Sequence, residues 1–497
     1  MSERSAVSEK DTFNLFSFSG KMKILHLSWF AFFITFFVWF NFAPLLQSVK
    51  ASLGLTTAEI KTLLILNVAF TIPARVVIGM LTDRYGPRLV YTALLAICAI
   101  PCWVFAFSDS FVQAAIARFA LGLIGAGFVV GIRLVSEWFP HNELGTAEGI
   151  YGGWGNFGSA AAAFTLPTLA VWLGGEDGWR YAMAITGAMS LLFSVIFYRN
   201  VQDTPQGATY FKPKAVGAME VTSKGDFFLL LLMKIPMYGA LALLTWKLSP
   251  SGVGLLSETV EMALYAGLVV VYLYEVRQAW RVNKTVFSAP VAKIHRYSFK
   301  QVAILNVLYF ATFGSELAVV SMLPLFFAET FTLSPVVAGM VASAYAFMNL
   351  MSRPGGGWLS DKFGRKPTLL ILTAGLAAGY FLMGQVDGQW PLWLAVVAAM
   401  VCSFFVQSGE GAVFATVPLI KRRMTGQIAG MTGAYGNVGA VCYLTLLSLV
   451  EYQTFFYVIA GTAVVGFVTL LMMEEPAGQI AEVNDDGSIT LIDVAKS

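Results

Sequence analysis

Two arginines, Arg75 and Arg353, stand inside long apolar stretches, where a charged side chain is costly and usually functional. Each lies eight residues before an aspartate, Asp83 or Asp361, which places it ~12 Å inside the same end of a predicted helix. Neither has an acidic residue within one helical turn, so both are predicted to be buried cations without a local partner. A guanidinium group keeps its charge and offers a planar fork of donors that fits a flat oxyanion. We expect an anion to bind between the two arginines; pairing with a glutamate elsewhere in the bundle is the alternative.

Two glycine-rich segments supply a second pair of candidate ligands. Residues 149–158 contain five glycines, and residues 430–439 repeat their pattern 281 positions later. Each glycine costs a helix interior ~1 kcal/mol relative to alanine, a cost that close packing of backbones can offset. In each segment two glycines and an asparagine fall on one helical stripe: Gly149, Gly152 and Asn156, then Gly430, Gly433 and Asn437. Packing of small residues explains the glycines alone, whereas the matched asparagines predict two amide donors at the site.

A third repeated pattern follows the arginines. Gly79, Asp83 and the base Arg84 recur 278 positions later as Gly357, Asp361 and Lys362. The glycines permit close approach of a neighbouring helix. The aspartates lie at helix C-termini, where the macrodipole disfavours negative charge, so they require nearby bases or the N-terminus of another helix as partners. We interpret these six residues as a gate that holds helix ends together in one state; a static surface charge cluster is the alternative.

The elements that carry these residues are predicted to be membrane helices. Of the 497 residues, 57% are hydrophobic and 12% are charged, against ~25% charged in a soluble globular chain. Apolar stretches of the ~20 residues that a membrane helix needs occur in two sets of six. The first set covers 24–48, 58–82, 88–108, 110–139, 145–173 and 178–198, and the second covers 302–330, 333–360, 367–385, 390–419, 425–450 and 453–473. Because the motifs repeat between the sets, the sequence predicts an all-α integral membrane protein with two related six-helix halves and 12 core spans.

Outside the core spans the sequence is organised as a linker and two tails. The linker contains two further apolar stretches, 226–248 and 254–277, which we interpret as an inserted hydrophobic hairpin; an interfacial or re-entrant pair is the alternative. The polar ends of the chain are predicted to be flexible tails. The predicted boundaries are 1–23 for the first tail, 24–200 for the first half, 201–300 for the linker, 301–474 for the second half and 475–497 for the last tail.

The distribution of lysine and arginine among the loops predicts the orientation in the membrane. One set of loops carries most of these bases, including the linker and residues 421–423, whereas the opposite loops hold only Lys50, Lys61 and Arg180. Both termini and the basic loops are therefore expected to be cytoplasmic, in a multi-pass protein of the plasma membrane, or of the inner membrane in a bacterium. The net charge of +3 reflects these loops, so no nucleic-acid partner is expected.

The pattern Gly-x-x-x-Asp-Arg/Lys-x-Gly after the second and eighth spans resembles the loop motif of the major facilitator superfamily. The segments Gly-Gly-Trp-Gly-Asn-Phe-Gly and Gly-Ala-Tyr-Gly-Asn-Val-Gly are similar to the paired signatures of its nitrate/nitrite porter family. The resemblance covers all twelve core spans and implies a major facilitator fold whose substrates, nitrate and nitrite, bind between Arg75 and Arg353. Phe128 and Tyr309 match aromatic lining residues of the family, for which ordinary core packing is the alternative. The ring expected from the first span fits Phe36 or Phe37 loosely.

Glu316 and Glu410 are two more charges inside predicted spans. Their surroundings resemble the high-affinity uptake branch of the family, from cyanobacteria, fungi and plants, which implies proton-coupled symport. Moving an anion into an inside-negative cell costs ~2.3 kcal/mol per 100 mV, which entering protons offset. We hypothesise that Glu316 or Glu410 carries a proton; pairing with Arg118 or Arg133 is the alternative.

Other classes of protein fit the sequence less well. The three histidines lie far apart without a nucleophile motif, and no phosphate-binding loop follows a strand, so neither an enzyme nor an ATP-driven pump is indicated. The four cysteines lie in apolar spans without further metal ligands, so no metal or cofactor is expected. A nitrate/nitrite exchanger, a carrier of another small organic or inorganic anion, and a membrane sensor remain as alternatives. The expected partners are nitrate, nitrite, protons and the lipid bilayer, and the protein is expected to be a monomer.

Overall fold

The structure is a computed structural model that describes residues 13–174, 177–213, 217–252, 254, 256–289, 291–292, 296–333, 335–483 and 488–493. Residues 1–12 of the first predicted tail, and His295 in the linker, lie outside these ranges. The described chain is almost entirely helical, as the sequence predicts.

Twelve helical spans build the two halves. The first half contains α1 (Gly20–Trp39), α2 (Leu46–Leu53), α3 (Thr57–Ala69), α4 (Thr71–Tyr85), α5 (Pro87–Ala106), α6 (Phe111–Leu121), α7 (Gly127–Trp138), α8 (His141–Leu173) and α9 (Gly178–Asn200). The linker contains α10 (Lys224–Leu248), α11 (Glu258–Asn283) and α12 (Thr285–Ser288). The second half contains α13 (Phe299–Ala311), α14 (Phe313–Phe331), α15 (Pro335–Phe347), α16 (Asn349–Phe363), α17 (Arg365–Met383), α18 (Leu392–Thr416), α19 (Thr425–Leu447) and α20 (Tyr452–Leu471). The pairs α3–α4, α6–α7, α13–α14 and α15–α16 each form one span.

The two halves meet along two pairs of long helices. α8 of the first half packs against α16 of the second, and α19 of the second half packs against α4 of the first. Twelve of the described helices are long and apolar enough to cross a membrane; α10 and α11 are among them, whereas α19 and the pair α15–α16 are not. α16 carries Arg353, and α19, which is buried along most of its length, carries the second glycine-asparagine stripe.

Four core spans are interrupted at the depth of the predicted site. The second span breaks at Phe70 and the eighth at Met348, each five residues before a candidate arginine. The seventh breaks at Thr312, and the fourth contains a 3₁₀ turn over residues 122–126. Irregular backbone in a membrane protein is tolerated where other protein covers it, and it leaves carbonyl groups free to bind side chains. In the fourth span, the carbonyl group of Gly125 in the 3₁₀ turn accepts a hydrogen bond from Arg75 at 3.2 Å.

Sharp turns hold the gate aspartates in place. α4 and α16 end at Gly86 and Gly364, whose φ angles are 89° and 94°, a conformation that glycine adopts at little cost. The next helix begins at the following residue in both halves, so Asp83 and Asp361 lie in the last turn before a tight corner. We call the side of the bundle where α1 begins and α20 ends the termini face, and the opposite side the far face. Both corners lie at the termini face.

The linker helices run along the outside of the bundle from one face to the other. α10 begins beside α13, where Asp226 accepts a hydrogen bond from the Phe299 amide (3.1 Å), and it ends beside α19, where Lys247 donates to Ser448 (3.3 Å). α11 returns alongside it, and an ion pair of 2.8 Å joins the two helices. That these two helices form an inserted hairpin that crosses the membrane stays a prediction.

The last tail contains a β-hairpin, so the prediction that it is flexible is wrong for its described residues. β1 (Gln479–Val483) pairs antiparallel with β2 (Ile489–Asp493). Glu482 is buried and lies 2.5 Å from Arg423 Nε and 3.5 Å from Lys421 Nζ, in the loop before α19. Burial lowers the pKa of Lys421, and the carboxylate opposes that shift. The polar composition of the tail gave no indication of these two short strands. Glu482 of β1 forms ion pairs with two bases of the helical bundle.

Candidate functional site

The two candidate arginines lie together at the centre of the bundle, and both are almost fully buried, with 1% and 2% of their surface exposed. Arg75 donates to two carbonyl groups, from Nε to Gly125 at 3.2 Å and from Nη1 to Gly433 at 2.7 Å. No acid forms an ion pair with Arg75 among the described residues, as the sequence predicts.

Arg353 departs from the prediction that both arginines are unpaired. Its Nη1 lies 3.0 Å from Glu410 Oε2, and its Nη2 donates to the Tyr309 hydroxyl at 2.9 Å. The contact with Glu410 is close enough for an ion pair but is not aligned as a hydrogen bond. The alternative that an arginine pairs with a glutamate elsewhere in the bundle is therefore correct for Arg353 and not for Arg75 in the described chain. Two cations and one carboxylate give this cluster a net charge of +1 when all three are ionised.

Aromatic rings flank the guanidinium groups. The Phe128 ring centre lies 5.7 Å from Arg75 Cζ and 5.3 Å from Arg353 Cζ, and the Phe313 ring centre lies 5.2 and 5.9 Å from the same atoms. Phe414 meets Phe128 and Tyr309 edge-on, at 4.5 and 4.7 Å between ring centres. Rings at these distances attract the cations and exclude water. Phe128 and Tyr309 lie where the sequence places them, whereas Phe313 and Phe414 were not predicted.

The first span brings two rings close to the site, Phe32 and the expected Phe36, and the role of either as a lining residue stays a prediction. Phe32 lies 5.2 Å from Phe128, between ring centres. Phe36 lines the cavity described below, and Phe37 packs in the core beside Phe42 and Leu45. Phe32 lies one turn before Phe36, on the same helical face, which the uniformly apolar sequence of this span did not reveal.

The predicted glycines let the helix of one half approach the arginine of the other. A Cβ atom at Gly152 would lie 2.9 Å from Arg353 Nε, and one at Gly433 would lie 3.2 Å from Arg75 Cδ. Gly149 and Gly430, one turn earlier, touch the backbone of the same arginines. Each glycine stripe therefore packs against the arginine-bearing helix of the opposite half.

The asparagines lie nearby but contact neither arginine. Asn437 is fully buried and donates to the Gly433 carbonyl of its own helix at 3.3 Å. Asn156 lines the cavity on the far-face side of the site. The side-chain oxygen of each has no hydrogen-bond partner among the described residues. Their role as ligands stays a prediction.

The two glutamates differ in position. Glu410 is fully buried beside Arg353, and Glu316 on α14 accepts hydrogen bonds from Asn349 and, at 3.3 Å, from Gln407. The alternative that Arg118 or Arg133 pairs with them is wrong. Arg118 contacts Asn41 and the Trp39 carbonyl, both at 3.4 Å, and Arg133 pairs with Glu137 at 2.8 Å and Asp83 at 3.6 Å.

A cavity of about 380 Å³ lies between the site and the far face. Its lining includes Phe36, Phe40, Asn156, Phe313, Glu316 and Asn349. Phe313 is therefore shared by the cavity and the arginine cluster. The cavity follows the halves of α8 and α14 that lead to the far face.

At the termini face each of the two aspartates that we interpret as part of a gate binds the other half. Asp83 accepts hydrogen bonds from the amides of Gly426 and Gln427, both at 2.8 Å, at the N-terminus of α19. Asp361 accepts from the amides of Gly145 (2.8 Å) and Thr146 (2.7 Å) near the start of α8. The predicted partnership with a helix N-terminus thus describes these contacts.

The predicted gate bases contribute little to these contacts. Arg84 and Lys362 are exposed and contact neither aspartate in the described part of the chain, whereas Arg365, a base that follows Lys362 at the start of α17, pairs with Asp361 at 2.8 Å. Lys362 lies instead over the rings of Trp358 and Phe363. Gly79 touches Gly426 and Gly357 touches Gly145, so both glycines lie where the halves are in backbone contact.

Comparisons with known proteins agree with this arrangement. The family model described as Major Facilitator Superfamily matches residues 28–293 and 305–489. The nitrate/nitrite transporter NrtP of Picosynechococcus sp. is 47% identical over 95% of this chain and 96% of its own length, and NrtP of Nostoc punctiforme is 45% identical over 94% and 95%. The solved E. coli fucose:proton symporter FucP aligns with a TM-score of 0.62 over 91% of this chain and 99% of its own, at 11% identity.

The structural likeness shows the fold alone, whereas the sequence relatives share most of the chain and are named as transporters rather than enzymes. The chain therefore belongs to the major facilitator superfamily and, within it, to the nitrate/nitrite porter family.

Proposed function

We propose that this protein takes up nitrate, and also nitrite, across the plasma membrane by proton-coupled symport and alternating access, with both termini cytoplasmic. Relatives at 47% and 45% identity are named nitrate/nitrite transporters. Both arginines come from one chain, so a monomer in the lipid bilayer forms a complete site.

The observation that carries the proposal is the unequal pairing of the two arginines. Arg75 binds only carbonyl groups, whereas Arg353 has Glu410 at 3.0 Å. An uncompensated guanidinium buried away from water is costly, and a monovalent anion removes that cost. Two forks of donors flanked by rings suit a small planar anion better than a neutral solute.

Proton coupling follows from competition for Arg353. While Glu410 is ionised, it occupies the guanidinium that the anion needs. A proton on Glu410 neutralises the carboxylate and releases Arg353 to the anion, so proton and anion binding favour each other. Glu316 lines the cavity and faces Glu410, which supports a role in which Glu316 takes up a proton and passes it to Glu410. Glu316 loses the proton that Glu410 gains.

Release requires the gate to open. In the described state the two aspartates bind the opposite halves at the termini face, and the cavity lies on the far-face side. Separation of α4 from α19 and of α16 from α8 would break those four amide contacts and expose the arginines to the cytoplasm. Gly149 and Gly430 assist this motion because they meet the opposite half through backbone contact, with no side chain of their own to interlock.

The test is uptake of labelled nitrate by purified protein in liposomes, with wild type beside Arg353→Lys and an imposed inward proton gradient. Gradient-stimulated uptake that the variant lacks supports the substrate, the coupling and the residue together. Uptake that requires internal nitrite and ignores the gradient would make the protein an exchanger. No movement of nitrate, nitrite or chlorate by wild type would remove the substrate assignment.

A further inference from the structure

One buried carboxyl group has no part in the mechanism proposed above. Glu148 on α8 is 2% exposed, and neither of its carboxylate oxygens has a hydrogen-bond partner among the described residues. An ionised carboxylate in such surroundings is strongly unfavourable, so a group of this kind takes up a proton instead. Glu148 is therefore neutral in the described state.

Glu148 lies between the arginine site and the gate. The preceding turn of α8 contains Gly145, whose amide binds Asp361, and the next residue, Gly149, touches the Arg353 backbone. Gly152, which lies four residues or ~6 Å along the helix from Glu148, packs against the Arg353 side chain itself. Glu148 thus occupies the layer that must separate when the termini face opens.

The charged groups that face Glu148 all belong to the opposite half. They are Asp361 on α16, Arg365 at the start of α17 and Arg422 in the loop before α19. Arg365 is already paired with Asp361 at 2.8 Å, and Arg422 lies 3.4 Å from Glu137 on α7. Lys21 and Glu143, at the outer end of α8, form a separate pair of 2.7 Å. Neither facing arginine is therefore a free counter-ion for Glu148.

The balance of charges in the layer between the arginine site and the termini face also indicates that Glu148 is neutral. The buried and half-buried groups that join or face one another there comprise four bases, Arg88, Arg133, Arg365 and Arg422, and five acids, Asp83, Glu137, Glu148, Asp203 and Asp361. One carboxyl group is in excess, and Glu148 is the one without a hydrogen bond. A single proton on Glu148 balances the layer.

The internal repeat argues against a packing role. The residue that corresponds to Glu148 in the second half is Ala429, which precedes Gly430 as Glu148 precedes Gly149. Ala429 is fully buried on α19 against α4. The same helix contact is thus made without a carboxyl group, so Glu148 is a feature of one half only.

We propose that Glu148 is a proton-binding site, which holds a proton while the termini face is closed and releases it to solvent on that side when the halves separate. The proposal rests on the alternating access put forward above. Opening lets water reach the carboxyl group, and hydration of the carboxylate makes the ionised form favourable. Closure then takes up one proton, and acid on the termini side favours the closed state by up to about tenfold per pH unit.

The experiment measures the closed fraction of full-length protein in lipid nanodiscs across a pH series. Spin labels at Tyr85→Cys and Phe363→Cys report the separation of the halves, because both residues are exposed at the termini-face ends of α4 and α16. We expect the closed fraction of wild type to fall as pH rises. Glu148→Gln, which mimics the protonated group, should remain closed with a flat profile, and Glu148→Asp should retain a titration.

Glu143→Gln is the matched control, since it removes a carboxylate from the same helix and should titrate as wild type does. A wild-type profile in Glu148→Gln, or one distance at every pH in wild type, would overturn the proposal. Labelled-nitrate uptake by the same variants in liposomes separates the two ideas. A Glu148-dependent profile in a protein that moves no nitrate would keep the proton site and reject the substrate.

Discussion

Replacement of Asp361 by asparagine tests whether the gate contacts set the balance between closed and open states. Asp361 accepts hydrogen bonds from the Gly145 amide (2.8 Å), the Thr146 amide (2.7 Å) and the Thr146 hydroxyl (2.8 Å), and it pairs with Arg365 at 2.8 Å. All three donors on α8 belong to the opposite half. Asparagine retains the size of the side chain but turns one acceptor into a donor, which would face an amide N–H.

The expected magnitude follows from these contacts. A hydrogen bond to a charged group contributes ~1.5–3 kcal/mol, and the variant weakens one such bond and loses another. Water replaces part of this in the open state, so we expect a net loss of ~3 kcal/mol from the closed state, which is roughly a 150-fold shift toward opening at ~1.4 kcal/mol per tenfold. Asp83→Asn should shift the balance less, because Asp83 accepts from two amides and its nearest cation, Arg133, is 3.6 Å away.

The assay is the separation of spin labels at residues 85 and 363, measured in both variants at one pH. The closed population should fall in both and fall further in Asp361→Asn. An unchanged distance distribution in both variants would refute the interpretation of these residues as a gate. A larger fall in the closed population for Asp83→Asn than for Asp361→Asn would show that the number of hydrogen bonds to each aspartate does not determine the free-energy difference between the closed and open states.

Three further outcomes follow from the same structure. Gly152→Ala should raise the KM for nitrate more than Gly433→Ala, because its Cβ would lie 2.9 Å from Arg353 Nε rather than 3.2 Å from Arg75 Cδ; initial rates of uptake compare them. Arg75→Lys should abolish uptake at normal surface expression, since lysine lacks the fork that binds two carbonyl groups at once, and rescue by lysine would contradict this. Glu482→Gln should lower the melting temperature by a few degrees, a loss of ~1–3 kcal/mol, and an unchanged melting curve would exclude an anchoring role for the tail.

The sequence predicts the parts of this site that depend on internal repetition. The equal spacing of the two arginines, the two glycine stripes and the two gate aspartates indicates two related halves that meet at one site. Close packing at Gly79 and Gly357 follows from the lack of a side chain, and the structure shows backbone contact at both. The sequence predicts either nearby bases or the N-terminus of another helix as partners of the aspartates, because the helix dipole disfavours an acid at a C-terminus, and the structure shows amide groups of the opposite half for both.

The sequence does not predict contacts that depend on how distant spans rotate against each other. Glu410 and Arg353 lie 57 positions apart, and no helical spacing relates them, so their pairing was found only in the structure. The same holds for Phe313 and Phe414, because a ring in a uniformly apolar span gives no signal of the face on which it lies. The β-hairpin of the tail was missed because polar composition conceals short strands.

Glu410→Gln is the sharpest test of the coupling, because the two roles open to Glu410 predict opposite effects on binding. If Glu410 serves only to hold Arg353 in place, its loss leaves a buried cation misplaced, and nitrate affinity falls. If it competes with the anion, as its 3.0 Å approach without hydrogen-bond alignment indicates, glutamine mimics the protonated group and releases the arginine.

On the second view, affinity at neutral pH should rise by about 5- to 150-fold, the range of common coupling energies, and lose its dependence on pH. Accumulation driven by a proton gradient should fail at the same time, whereas exchange of labelled for unlabelled nitrate continues. Titration calorimetry in detergent and exchange in liposomes measure the two effects separately. Tight, pH-independent binding without accumulation would support competition between Glu410 and the anion for Arg353. Weak binding with retained accumulation would reject that competition. Asn437→Ala, which removes a polar group without changing the charge beside Arg353, is the control whose binding should keep its pH dependence.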